Sequence, residues 1–169
     1  MMKSRKRMDS PIGTLLLEGD EKGVSAIRLL SQEEQAQPEQ TQPEQTNVVL
    51  EQAAAQLEAY FAGERKAFDF PFVLHGTAFE SAVWQALMQI PYGQTRSYGQ
   101  LAAQLHMPGG ARAVGGACRR NPLLIAVPCH RVIATSGNLT GFAAGMEAKK
   151  RLLLLEGHRL DCGKRVLCK

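Results

Sequence analysis

Ser97-Tyr98-Gly99-Gln100-Leu101-Ala102-Ala103-Gln104-Leu105-His106-Met107-Pro108-Gly109-Gly110-Ala111-Arg112-Ala113-Val114-Gly115-Gly116-Ala117-Cys118 is the stretch on which the fold of the C-terminal half turns. Ser97 supplies an N-cap for a short helix from Tyr98 to Leu105. The turn His106 to Gly110 interrupts it, and a second helix runs from Ala111 to about Arg119. Two short helices around a Gly-containing turn are the pattern of a helix-turn-helix, and equally of a generic αα-hairpin. Gly115 and Gly116 each weaken the second helix by roughly 1 kcal/mol relative to Ala. Small side chains permit another surface to come close. That surface is either a neighbouring protein segment or a nucleic-acid groove. Arg112 stands near the helix start, where it can point outward.

Downstream, Ile125-Ala126-Val127 has the pattern of a short buried strand, and Pro128-Cys129-His130-Arg131 follows at once. A Cys beside a His, with an Arg next to it, is a setting that favours thiolate. A lone Cys otherwise serves as a small buried hydrophobe. Adjacent side chains on a regular strand point to opposite faces. His130 therefore reaches Cys129 only from an irregular backbone or through a bridging water. Upstream, Thr77 caps a helix from Phe79 to Ile90 that carries Phe79, Val83, Leu87 and Ile90 on one face, and Pro91-Tyr92-Gly93 breaks it.

Farther upstream the pattern changes. Thr14 to Glu18 and Val24 to Leu30 read as two strands of a hairpin, with Gly19 to Gly23 as the turn. Residues 31–46 are rich in Gln and Pro and read as a mobile loop. Asn47 caps a helix from Val48 to about Ala62 with Leu50, Ala54, Leu57 and Phe61 in its apolar stripe, and Gly63 suits its end. Phe68, Phe70 and Phe72 alternate as on a strand. The expected organisation is a small α/β domain over 1–74 and a second, mostly α domain over 75–169.

Charge divides along the same line. Residues 1–74 hold 8 Lys/Arg against 12 Asp/Glu, whereas residues 75–169 hold 12 against 4. No acidic residue occurs between Glu80 and Glu147, a stretch that carries Arg96, Arg112, Arg119, Arg120 and Arg131. An acid-free basic half points to a polyanion partner, or to a solvated surface of mixed charge. Apolar runs such as Leu152 to Leu155 are too short to cross a bilayer, and no apolar h-region follows the basic start, so a cytoplasmic location is expected. The four cysteines, Cys118, Cys129, Cys162 and Cys168, read as free thiols, and Cys162 and Cys168 match no common zinc spacing. No cofactor or metal is implied, and a monomer is the default.

The Pro-Cys-His-Arg box resembles the active-site motif of the 6-O-alkylguanine-DNA alkyltransferases. The resemblance extends through Gly76-Thr77-Ala78-Phe79, Ser97 to Ala102, Ala111 to Gly116 and Asn121-Pro122. It continues in Gly141-Phe142-Ala143-Ala144-Gly145, Lys149 and Leu152 to Gly157. It is strong from Gly76 to Gly157 and looser in the N-terminal half, where Tyr60 to Gly63 carries it. It implies a ribonuclease H-like α/β N-terminal domain and a winged-helix-like C-terminal domain with a helix-turn-helix. It also implies irreversible, single-turnover transfer of a methyl or larger alkyl group from the 6-oxygen of guanine in double-stranded DNA to Cys129. Activity on the 4-oxygen of thymine stays open.

By resemblance, His130 relays the Cys129 proton, Glu156 orients His130, Asn121 holds the Cys loop, and Tyr98 assists the leaving guanine. Arg112 enters the duplex where the base has flipped out, in a helix docked in the minor groove. Ala111, Ala113, Gly115, Arg119 and Arg131 complete the expected DNA-binding set. The Ala143-Ala144 pair departs from the Gly- or Ser-rich loops common in the family, and Cys118 puts a second thiol on the recognition helix. Three rivals are a non-catalytic sensor of alkylated bases, a Cys-His-Glu hydrolase and a plain helix-turn-helix regulator. The first lacks the acceptor cysteine, the second needs an oxyanion hole that no motif marks, and the third leaves the Pro-Cys-His-Arg box without purpose.

Overall fold

The computed structural model describes residues 3–37, 47–162 and 165–167. Its described residues group into two units. One holds those up to His75 together with Pro122–Leu124. The other holds Gly76–Asn121 and those from Ile125 onward.

In the first unit, β1 (Ser4–Met8), β2 (Leu15–Asp20) and β3 (Gly23–Leu29) form an antiparallel meander. Leu15, Leu17, Val24 and Ile27 leave one face of it fully buried. Helix α1 (Gln32–Ala36) follows, then α2 (Val48–Phe61), whose Leu50, Ala53, Ala54, Leu57 and Tyr60 are buried. The Asn47 side chain accepts from the amides of Val49 and Leu50, the cap expected from sequence.

Four expectations need correction here. Strand β1 was not foreseen. Arg5, Lys6 and Arg7 belong to the basic start of the chain, and Arg5 pairs with Glu18 and Lys6 with Glu51 where β1 lies along β2. The stretch 31–46 was read as one mobile loop, but Ser31 closes a capping box with Glu34 and starts α1. The remainder, residues 38–46, lies outside the described residues. Phe68–Phe72 forms no regular strand; only Phe72 bridges to Val24, while Phe68, Phe70 and Phe72 stack in sequence. Pro122–Leu124, expected with the second domain, groups with the first unit because Ile27 donates to the Pro122 carbonyl and accepts from Leu124.

The second unit is built on α3 (Ala78–Met88), α4 (Tyr98–Gln104), α5 (Ala111–Arg119) and α6 (Met146–Leu155). Thr77 and Ser97 both close capping boxes, with Glu80 and Gln100. Gly109, at φ +79°, occupies the left-handed region in the turn between α4 and α5, where a side chain would be strained. Trp84 is buried and donates its indole N–H to the Ala117 carbonyl at 3.0 Å, tying α3 to α5. The parallel strands β4 (Arg96–Ser97) and β5 (Val132–Ile133) pair Arg96 with Val132 and Ser97 with Ile133. The antiparallel hairpin β6 (Arg159–Asp161) and β7 (Arg165–Leu167), also unforeseen, covers a small cluster of Ile133, Leu139, Leu153 and Val166.

Candidate active site

The expected strand Ile125–Val127 is absent. Ile125 has φ +72° and makes a turn with Ala126, and Cys129–Arg131 closes a single 3-10 turn. The backbone that carries Cys129 and His130 is thus irregular and not a strand. Its amides are satisfied locally, with Cys129 N–H donating to Val127 at 2.8 Å and Arg131 N–H to Pro128 at 3.0 Å.

Cys129 is 3% exposed. The Asn121 side-chain amide donates to its Sγ at 3.1 Å and to the Val127 carbonyl at 2.8 Å, so one residue holds both the thiol and the turn behind it. Burial pushes the Cys129 thiol up from its ordinary value, while the Asn121 hydrogen bond and the Lys149 charge pull the other way. Burial thus opposes the thiolate that the adjacent basic residues favour.

His130 is fully buried, and its Nε2 lies 2.7 Å from Glu156 Oε1. Burial pushes the imidazole below its usual range, against the pull of Glu156, and the charges of Arg131 and Lys149 add to the fall. An ionised carboxylate only accepts, so the ring proton sits on Nε2. Nδ1 is left as a basic nitrogen without a partner among the described residues. Burial alone would raise the Glu156 carboxyl. Hydrogen bonds from His130 and Arg131, together with their charges, outweigh it and hold Glu156 well below the carboxylate range.

Arg131 was expected on DNA, and the structure corrects this. It is 6% exposed and forms a bidentate pair with Glu156, Nε to Oε2 and Nη2 to Oε1, both at 2.9 Å. Its Nη1 donates to the Ile90 carbonyl at 2.6 Å. A guanidinium with its donors spent inside the protein cannot reach a phosphate.

Lys149 carries more of the site's electrostatics than sequence reasoning assigned to it. It is fully buried, and its Nζ donates to the carbonyls of Val132 at 2.6 Å and Thr140 at 3.0 Å. Burial lowers it to about 8, against the pull of Cys129 and Cys118. A signal was present: Lys149 shares a helical face with Leu152, Leu153 and Glu156, all buried. Tyr98 donates its hydroxyl to the same Thr140 carbonyl at 3.3 Å, and its ring centre lies 6.0 Å from Lys149 Nζ. Burial raises the Tyr98 phenol, which keeps it protonated and able to donate. Cys118 is buried and its thiol is pushed up to about 12, chiefly by burial, so it is an inert neighbour.

On α5, Arg112, Ala113 and Arg119 are exposed, while Ala111 and Gly115 are half-buried. A Cβ on Gly115 would meet the Tyr98 ring only at ordinary contact, 3.7 Å, and one on Gly116 only the Arg120 guanidinium, at 3.5 Å. The protein's own packing therefore does not require either glycine. Among the described residues no cluster of His, Cys, Asp or Glu could hold a metal, and no helix is long and apolar enough to cross a membrane.

The family model described as 6-O-methylguanine DNA methyltransferase, DNA binding domain, matches residues 78–158. The companion ribonuclease-like domain of the same family matches residues 5–74. Two relatives named methylated-DNA–protein-cysteine methyltransferase, from Methanosarcina acetivorans and Mycobacterium leprae, are each 47% identical. They align over 88% and 92% of this chain and 95% and 93% of their own. The crystal structure of the Mycobacterium tuberculosis O6-methylguanine methyltransferase superposes with a TM-score of 0.79 at 46% identity, over 92% of this chain and 93% of that one. A Mycobacterium tuberculosis relative in complex with DNA gives 0.80 at 47% identity, over 90% and 91%.

Proposed function

The chain belongs to the 6-O-methylguanine DNA methyltransferase family, with its ribonuclease-like and DNA-binding domains, and from that premise we propose that Cys129 is the alkyl acceptor and that the 6-oxygen of guanine in duplex DNA is the donor site. The activity is that of a methylated-DNA–protein-cysteine methyltransferase, which repairs DNA by transferring the alkyl group to the protein itself. The observation that carries the assignment is the arrangement around Cys129. Asn121 holds its sulfur, and the next residue is a neutral, buried imidazole backed by Glu156.

The chemistry follows from these groups. The Cys129 proton passes to His130 Nδ1 through a bridging water, and the imidazolium so formed is stabilised by Glu156. The sulfur attacks the alkyl carbon, the carbon–oxygen bond breaks, and its electron pair leaves on the guanine oxygen. Tyr98 exchanges its bond to the Thr140 carbonyl for one to the guanine, which lowers the charge cost of departure. The thioether product has no activated water to reverse it, so each molecule acts once. Activity on the 4-oxygen of thymine would use the same groups.

A base inside a duplex cannot be reached, so guanine must be flipped out at a cost of a few kcal/mol. Helices α4 and α5 act as a helix-turn-helix whose second helix enters the minor groove, with Arg112 filling the space the base leaves. Glycines that internal packing does not need support this docking, because they leave α5 thin on its outer side. The protein acts as a monomer on duplex DNA. The test is incubation with a duplex carrying one labelled methyl on guanine, followed by peptide mapping. One label per chain, on Cys129, is expected; label on Cys118 or Cys162 would overturn the assignment.

A further inference from the structure

The acid-free stretch contains one arginine, Arg96, that neither the catalytic groups nor the outer face of α5 accounts for. Among the described residues its guanidinium reaches only local acceptors, the Thr95 carbonyl at 3.0 Å and the Gln94 side chain at 3.5 Å. It lines an open cleft of about 700 Å³ together with Ser97, Gln100, Thr135, Ser136 and Arg165. Residues of β7 form one wall, and the turn at Gly137 packs against the Arg165 stem. Among the described residues lining it there is no Asp or Glu, and the titratable groups are Arg96, His158 and Arg165. Arg165 is exposed and has no ion pair among the described residues. The contrast with Arg131 and Arg120, held by Glu156 and Glu80, is direct.

We propose that this cleft is a phosphate site that holds a phosphodiester of the DNA strand flanking the reacting guanine, with Arg96 and Arg165 as its cations and the hydroxyls of Ser97, Thr135 and Ser136 as neutral donors. The inference rests on the DNA reading above. Strand register places it correctly: Arg96 lies beside Val132 and Ser97 beside Ile133, directly after the turn that carries Cys129, and Tyr98 follows Ser97. The 3-10 turn rises roughly 2 Å per residue and paired strands lie about 4.8 Å apart, so the cleft begins on the order of 10 Å from the Cys129 backbone. On this proposal, a strand that delivers its base to Cys129 lays its neighbouring phosphate in this cleft. The β6–β7 hairpin that supplies Arg165 lies beyond residues 78–158, the part matched by the family's DNA-binding model.

The test is the salt dependence of binding to an unmodified duplex, compared between the unaltered protein and the pair Arg96→Gln with Arg165→Gln. Each lost phosphate contact lowers the slope of log K against log[salt] by roughly 0.9, and the site holds one phosphodiester, so the pair should lose about 1. The pair Arg96→Lys with Arg165→Lys keeps the charge and should keep the slope. An unchanged slope in the Gln pair would overturn the site, as would a Lys pair that loses as much as the Gln pair, since that traces the loss to folding. A free nucleotide shares the phosphate chemistry. Guanosine monophosphate binding that disappears in the Gln pair while the duplex slope stays constant would also count against the proposal. Failure of the broader reading shows separately, as absence of methyl transfer by the unaltered protein.

Discussion

At the scale of single residues, the proposed mechanism separates the group that reacts from the groups that move protons. Cys129→Ser should abolish transfer yet leave duplex affinity within about twofold, because binding is spread over phosphate contacts; gel-shift and single-turnover assays measure the two. Arg112 offers a sharper test. As the residue that replaces a flipped base, Arg112→Ala should slow repair of a methylated duplex at saturating protein by on the order of 1–3 kcal/mol, the cost of unstacking one base, and spare transfer from free 6-O-methylguanine. Equal slowing on both substrates would mean that Arg112 supports the fold of the site. Arg131→Met makes the opposite point. It leaves Glu156 buried with half its partners gone, and should cost about 3–5 kcal/mol in denaturant unfolding. A variant as stable as the parent would contradict the structural role given to that pair.

At the scale of elements, α5 shows stability traded for access. Gly116 lies in its interior, and a Cβ there meets only the end of a flexible arginine. Gly116→Ala should therefore stabilise the free protein by roughly 1 kcal/mol in thermal unfolding. The same methyl group would stand between the helix and a groove, so duplex affinity should fall. A variant more stable and equally tight on DNA would remove the reason given for the glycine. The 3-10 turn at Cys129–Arg131 is the second decisive element. On a regular strand Cys129 and His130 would face opposite sides, whereas the turn lets Asn121 hold one and Glu156 the other.

For the whole molecule, acid should loosen the structure through the buried His130–Glu156–Arg131 group. The His130 imidazole is held below its ordinary 6.5, so the unfolded chain binds more protons than the folded one as pH falls below 6.5. The stability it contributes is present above 6.5 and is lost as pH falls toward the folded value. The Glu156 carboxyl, held below its ordinary 4.5, adds a second loss that begins near 4.5. Unfolding free energy should thus decline in two stages between pH 7 and 3, and Glu156→Gln should remove the lower one. A profile flat from 7 to 5 would contradict the His130 assignment. The charge division of the chain, with the C-terminal half strongly basic, predicts DNA affinity that falls steeply with salt.

Features whose cause is local were legible in the chain itself. The caps at Asn47, Thr77 and Ser97, the helices they start and the Gly-containing turn between α4 and α5 each depend on residues within one turn of one another. The Cys129–His130 pair and its resemblance were equally plain, because the motif is contiguous. Other features arise only when distant residues meet. Arg131 and Glu156 are 25 positions apart, and nothing near Arg131 marks it as internal, so it read as a DNA contact. Lys149 became an internal cation only through the carbonyls of Val132 and Thr140. The basic strand β1 needed Glu18 and Glu51 opposite it, and Ile125 turned away from strand geometry where its sequence favoured it. The reason is physical: a charged side chain is buried only when a partner repays its desolvation, and that partner is supplied by the fold.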